Sequence, residues 1–280
     1  MDDIIGIASR YNARILIGGD LFDRPRDWPL LGRILPLLRS YIADVGSRIP
    51  LTVRGQHDVY MRNMESNYAT TMGVLESSGY LEIIQHPSIG LRGLSDMVTV
   101  VGCSWGDPIP QPVQCNKGRH ILVIHAPIAE EKAYPGHSYI DALHFVQEHD
   151  YDLILCGDVH RRFEIVTTTK GKRKTIINTG PILRLKADEY NMRLKPAVAI
   201  FDTDTKITKW VYLKTEKNVF VTEHLERNKE QELMLSEFIE AIQKPDIGIG
   251  VSMIERVQQW AKYNKDYEEL IALLTNVCGI

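Results

Sequence analysis

The chain has 280 residues, 44% of them hydrophobic and 25% charged, with a formal net charge of −3. Such a length can bury a full core as one large domain, alone or with a small appendage, and the charge balance argues against an overall basic nucleic-acid binder while leaving room for a local basic patch. No apolar run approaches the roughly 18 residues of a membrane span and no basic-then-apolar leader opens the chain, so neither membrane insertion nor secretion is expected. Cys103, Cys115, Cys156 and Cys278 form no C-x-x-C pair. Two of them sit in apolar runs where a reduced, buried thiol is the ordinary state, which fits a cytoplasmic location.

Ile4, Ile5, Ala8 and Tyr11 recur at helical spacing, predicting a helix over 2–12, and ARILIGG (13–19) then reads as a short buried strand ended by glycines. A doubly wound sheet normally begins with a strand, because a helix needs a sheet to cover. The expectation is therefore that the first strand lies upstream and that Met1 is an internal methionine. Residues 28–45 have helical length and spacing, 50–54 read as a strand, and 63–77 as a helix. Strands are predicted over 80–84, 97–103 and 119–125, a helix over 138–148, and a strand over 151–156. Two β-rich runs over 162–178 flank Lys170, Gly171, Lys172, Arg173 and Lys174, a hairpin with a basic tip. Residues 196–202 and 206–214 form a further pair around a polar turn at Asp204. After about residue 215 the texture changes to long helical patterns, so a boundary is placed there: a main domain over 1–214 and a small helical region over 215–280.

Four segments end an apolar run on Asp, His or Gln: ILIGGDLFD (15–23), LTVRGQHD (51–58), ILVIHAP (121–127) and LILCGDVH (153–160). Side chains of these types at neighbouring strand ends suit a two-metal phosphoesterase, in which paired ions activate water and neutralise charge on the leaving oxygen. Asp20, preceded by two glycines, is the candidate bridging carboxylate; alone, it reads as a helix N-cap or turn aspartate. Asp23 fixes the loop or pairs with Arg24 or Arg26. His125 emerges directly from ILVI as a neutral imidazole ligand, the alternative being a core histidine satisfied by a carbonyl. Asp158 and His160, two apart on an extended segment, can point to the same side and each reach an ion. Gln56 offers a carbonyl oxygen, His57 is a candidate general acid, and Asp58 can fix the tautomer of His57; the alternative for all three is a polar turn.

Together these residues resemble the calcineurin-like metallophosphoesterase superfamily, whose motifs run D-x-H, G-D-x-x-D, G-N-H-D, a strand-end His and G-H-x-H. The form GDLFDR (19–24) and the segment NTGPILR (178–184) look most like its DNA-repair exonuclease branch, the SbcD-type nuclease subunits. The resemblance implies an α/β fold: a two-sheet metallophosphoesterase sandwich flanked by helices, here with its first strand missing, over about residues 1–214. It implies two divalent ions, manganese above all, with Asp20 as the bridge, Gln56, His125 and Asp158 at one site, His160 at the other, and His57 as the catalytic histidine. It also implies DNA ends or hairpins as substrates and an SbcC-type ATPase subunit as partner; a homodimer is a further candidate that the sequence leaves open. Three departures stand out. The D-x-H block is absent, Gln56 replaces the usual Asn, and Asp158 replaces the first His of G-H-x-H, which favours a harder ion such as manganese or magnesium.

Arg24, Arg26, Arg54, Arg161, Arg162 and Arg184 adjoin the motif loops, where cations can hold a phosphate backbone; Arg161 and Arg184 are the main candidates. The alternative is pairing with Asp23, Asp27 or Glu164, and for the 170–174 tip a solvated turn. Leu233, Phe238, Ile239 and Ile242 make an apolar stripe for packing or a partner, and Trp260 and Tyr263 read as core. Three functional readings follow: a DNA nuclease subunit, a phosphatase or nucleotide phosphodiesterase of the same superfamily, and a non-catalytic interaction protein on the same fold.

Overall fold

The computed structural model describes residues 1–46, 48–60, 64–84, 89–92, 97–110, 118–130, 138–184 and 189–216. In chain order the elements are α1 (Asp2–Arg10), β1 (Leu16–Ile17), α2 (Trp28–Asp44), β2 (Leu51–Thr52), a 3₁₀ turn (Met64–Ala69), α3 (Thr71–Ser77) and β3 (Glu82–Ile83). They continue with β4 (Ile89–Arg92), β5 (Met97–Cys103), β6 (Arg119–Ala126), β7 (Ile128–Ala129), β8 (Ile140–Asp141), α4 (Ala142–Glu148) and β9 (Leu153–Asp158). The last are β10 (Phe163–Thr169), β11 (Lys172–Asn178), α5 (Glu189–Arg193), β12 (Ala197–Phe201) and β13 (Thr208–Tyr212).

By compactness the chain divides into one unit of Met1–Leu183 with Leu194–Thr215 and another of Arg184–Arg193 with Glu216–Ile280. Of the second, only Arg184, α5 and Glu216 are described, and Arg184 Nη2 donates to the Glu216 carbonyl oxygen at 2.7 Å. The helical pattern expected beyond residue 216 lies outside the described residues, as do Cys115, Cys278, the apolar stripe, Trp260 and Tyr263.

The first unit is a sandwich of two sheets flanked by helices. One sheet has three parallel strands in the order β1-β2-β3, the other six in the order β10-β11-β9-β6-β5-β4. In the larger sheet β5, β6, β9 and β11 run parallel, with β4 and β10 antiparallel at its edges. Strand alternation sorts the core into two faces. Ile121 and Val123 of β6 and Leu153 and Leu155 of β9 pack with Leu51, Val53 and Ile84 of the smaller sheet, with Ala199, Phe201 and Trp210 of the β12-β13 ribbon beside them. Leu122, Ile124, Ile154 and Cys156 face the other way, onto Ala142, Phe145 and Val146 of α4.

Helices cover the outer face of the smaller sheet. Phe22, Ile34, Leu38, Met72, Leu75 and Ile83 form one cluster, and Ile5, Ala8, Tyr41 and Val45 another. The fully buried Tyr41 ties α2 to the segment around β1: its hydroxyl donates to Ala13 O at 3.0 Å and accepts from Ile15 N at 3.1 Å. Burial pushes the Cys103 thiol up to about 12 and raises that of Cys156 as well, so these two buried thiols are core residues with little thiolate character.

Two local expectations are corrected. The single helix read over 63–77 is a 3₁₀ turn followed by α3, because the Thr70 hydroxyl accepts from Gly73 N at 3.0 Å and caps a new helix there. The helix read from 138 starts at Ala142, since Asp141 caps His144 N at 2.7 Å after the short strand β8. The β10-β11 hairpin closes on Lys170 and Gly171 with φ of 52° and 76°, the positive pair that a type I′ turn requires. Its basic tip is largely committed to structure. Lys172 and the buried Lys174 hold Asp150 at 3.0 and 3.4 Å, and Arg173 Nε donates to Lys206 O at 3.1 Å.

Candidate metal centre

All four motif loops follow the carboxyl ends of parallel strands, β1 and β2 in one sheet and β6 and β9 in the other, and the two sheets face each other through the shared core. Alternation puts His125 on the face of Ile121 and Val123, aiming it between the sheets rather than toward α4. The position on β9 that shares this face next to His125 is Gly157. A Cβ there would lie 2.1 Å from Gly18 O and 3.0 Å from His125 Nδ1, so glycine is what lets the two sheets close over the imidazole. Gly55 plays the same part under Asp20, whose Oδ1 would lie 1.9 Å from an added Cβ.

His125, Gln56, Asp158 and Asp20 converge. The Gly18 carbonyl, 2.7 Å from His125 Nδ1, can only accept, so Nδ1 carries a proton. Nε2 therefore faces three oxygens: Gln56 Oε1 at 2.8 Å, Asp20 Oδ2 at 3.5 Å and Asp158 Oδ1 at 3.8 Å. Gln56 Nε2 donates to Asp158 Oδ1 at 3.1 Å. Turning that amide over would satisfy His125 but set Oε1 against the carboxylate. Three oxygens thus converge on one buried imidazole nitrogen, an arrangement of acceptors that suits a cation.

One imidazole, one amide carbonyl and two carboxylates make a donor set that fits a divalent ion of the manganese or magnesium kind. Among the described residues no three His, Cys, Asp or Glu side chains stand in a finished ligating arrangement. The donors are bonded to one another instead, and an ion held here would replace those hydrogen bonds with coordination bonds.

The other candidate residues fall in different places. His57 is exposed; its backbone N–H donates to Asp20 Oδ1 at 2.9 Å, its Nδ1 lies 3.1 Å from the Asp23 carbonyl, and Nε2 has no hydrogen-bond partner among the described residues. Asp58 does not orient His57. It is buried, and it accepts from Gly55 N at 2.9 Å and Phe22 N at 3.3 Å, with Asp20 N as a further donor, stapling two motif loops together. His160 is exposed, with no hydrogen bond or ion pair to the convergent four. The two-apart rule fails because Asp158 has φ of 92°, which ends the extended geometry on which it rests. The same turn re-aims the Asp158 carboxylate toward Gln56. Asp20 also has positive φ, at 49°, and strain of this sort in non-glycine residues gathers at functional sites.

Sequence reasoning missed Ser104. Its hydroxyl accepts from Arg54 N at 3.0 Å, and Trp105 N donates to Arg54 O at 2.8 Å, so the end of β5 grips the loop that carries Gln56 and His57. A small polar residue directly after the apolar run 97–103 was the available signal.

Burial pushes the Asp58 carboxyl up to about 7, and the charge of Asp20 adds to this, against the pull of its backbone donors. An unfolded aspartate titrates near 3.9. Between about pH 4 and pH 7 the native state thus holds a proton that the unfolded state has released, and stability falls as pH rises through that window, by about 1.4 kcal/mol per unit at most. Urea unfolding of metal-free protein should show this slope, and Asp58→Asn should flatten it.

Comparison with known proteins agrees with the motif geometry. A family model described as calcineurin-like phosphoesterase matches residues 6–162, the span that contains all four loops. No curated protein matches. Among solved structures, a hypothetical protein from Pyrococcus horikoshii OT3 is 13% identical, with a TM-score of 0.38 over 84% of this chain and 85% of that one. That overlap is too loose to bear on fold or chemistry.

Proposed function

The chain belongs to the calcineurin-like phosphoesterase family, whose chemistry is metal-dependent hydrolysis of phosphate esters, and we propose that its substrate is DNA, cleaved as the nuclease subunit of a repair or recombination complex. The convergence of Asp20, Gln56, His125 and Asp158 beside an exposed His57 carries the hydrolytic part. The DNA part rests on the likeness of GDLFDR and NTGPILR to the exonuclease branch, and on the exposed Arg24 and Arg161 next to the motif loops.

When bound, a divalent ion supplies Lewis-acid activation of water and takes up charge on the phosphate oxygens. The residues around it do the rest. Gln56 and the two carboxylates hold their positions through the glycine-lined seam. Water adds to phosphorus and gives up a proton, the bond from phosphorus to the leaving oxygen breaks, and that oxygen takes up a proton relayed through His57 Nε2, the ring nitrogen not engaged by the Asp23 carbonyl. Manganese is the expected ion because the donors are mostly oxygens with a single imidazole. An SbcC-type ATPase subunit and a second copy of the chain are the proposed partners.

A second reading, a phosphatase or nucleotide phosphodiesterase, is favoured by where several cations have gone. Arg54 is buried with Asn67, Arg26 stacks on Tyr60 at 4.0 Å and donates to Ala69 O, and Arg162 holds Thr179 O and lies over Trp210 at 5.5 Å. These serve the fold, which leaves fewer for a long phosphate backbone. Assaying single- and double-stranded DNA, a nucleotide and a phosphopeptide with manganese separates the two. DNA cleavage that falls about 100-fold or more in His57→Ala is the expected result. Hydrolysis of the nucleotide or phosphopeptide alone favours the second reading.

A further inference from the structure

Asn178 is the last residue of β11 and opens the segment NTGPILR, to which neither the metal donors nor His57 gives a role. It is buried, 3% exposed, with both ends of its amide engaged. Nδ2 donates to Val159 O at 2.7 Å, and Oδ1 accepts from Gly180 N at 2.8 Å. The first bond reaches the residue directly after Asp158.

Asp158 stands at φ of 92°, a backbone state that is strained for a non-glycine residue and persists only where its surroundings hold it. Holding contacts exist on one side, where Val159 is buried and packs with Ala129 and Tyr139. The Val159 carbonyl points the other way, into the Asn178 amide. Relaxing Asp158 to an ordinary φ swings this carbonyl and the Asp158 carboxylate together, and it takes the carboxylate away from Gln56.

We infer that Asn178 is a positioning residue for the metal centre: its side-chain amide, clamped between Val159 O and Gly180 N, locks the strained turn that presents the Asp158 carboxylate. The inference rests on the reading of Asp158 as a metal ligand. It also gives the 178–184 segment a task near the centre that requires no contact with substrate.

The test is manganese binding by calorimetry, with near-ultraviolet circular dichroism to confirm folding, on wild type, Asn178→Ala, Asn178→Asp, Asp158→Ala and the Asp158→Ala/Asn178→Ala double variant. Asn178→Asp keeps the shape and the acceptor for Gly180 but turns a carboxylate oxygen onto Val159 O, so it carries the test if the alanine variant does not fold. Partners of metal ligands typically account for 10–100-fold in affinity, and that weakening is expected in both single Asn178 variants. The double variant should bind no more weakly than Asp158→Ala. A folded Asn178→Asp that binds like wild type overturns the inference, and so does an equal loss in the Asp158→Ala background, which would make Asn178 a general support. If Asp158→Ala binds as tightly as wild type, the underlying assignment of the ligand is what fails.

Discussion

Gly157→Ala should both unfold more easily and lose metal-dependent hydrolysis. The new Cβ would stand 2.1 Å from Gly18 O and 3.0 Å from Gly18 C, both backbone atoms of the opposing sheet. Backbone cannot step aside as the end of a flexible side chain can. The seam between the sheets must open, at a cost of about 3 kcal/mol or more, and as it opens the 2.7 Å bond from His125 Nδ1 to Gly18 O is lost. The imidazole orientation goes with it. Gly6→Ala and Gly32→Ala make good controls, since both lie in helices with nothing within 4 Å of an added Cβ. Those changes should be neutral or stabilise by about 0.5–1 kcal/mol. Urea unfolding midpoints and a manganese-dependent hydrolysis assay report the contrast, and a Gly157→Ala protein as stable and active as the controls would contradict it.

His125→Ala is the second large effect, and it acts on chemistry more than on folding. It removes the imidazole from a side chain that is 1% exposed, leaving Gly18 O without its donor and Gln56 Oε1 without the nitrogen at 2.8 Å. An abandoned buried acceptor costs about 1–3 kcal/mol, which a stable domain survives. Metal-dependent turnover should fall by about 100-fold or more, because the only nitrogen ligand among the four convergent donors is gone. His144→Ala supplies the comparison: that imidazole is 68% exposed, pairs with Glu148 on the surface of α4, and should change neither stability nor rate measurably. Loss of activity in both variants would point to a defect unrelated to the metal centre.

Much of this centre was legible in the residues because parallel strands write themselves as short apolar runs. The runs ILVI and LILC alternate between the two faces, and their parity fixes that His125 and Gly157 look toward the smaller sheet. The helix over 28–45 and the basic hairpin were equally readable, from spacing and from the Lys170-Gly171 turn. What stayed hidden depends on contacts across long stretches of chain. Asp58 looked like a partner for its neighbour His57, whereas folding gives it the amides of Phe22 and Gly55. The positive φ at Asp158 has no signature in an aspartate, so the two-apart rule could not say where His160 lies relative to Asp158. Ser104 and Asn178 act through backbone groups of other loops, and no local pattern announces such a role. The split of the 63–77 helix was visible in principle, since Thr70 is three residues before Gly73.

If Asp20, Gln56, His125 and Asp158 jointly bind a catalytic divalent ion, a crystal grown with millimolar manganese should reveal it by anomalous scattering. The expected result is a peak at His125 Nε2, with Gln56 Oε1 and the Asp20 and Asp158 carboxylates drawn in around it. A manganese-containing crystal with no ion there, and with His125 Nε2 still bonded to Gln56, would refute joint binding by the four.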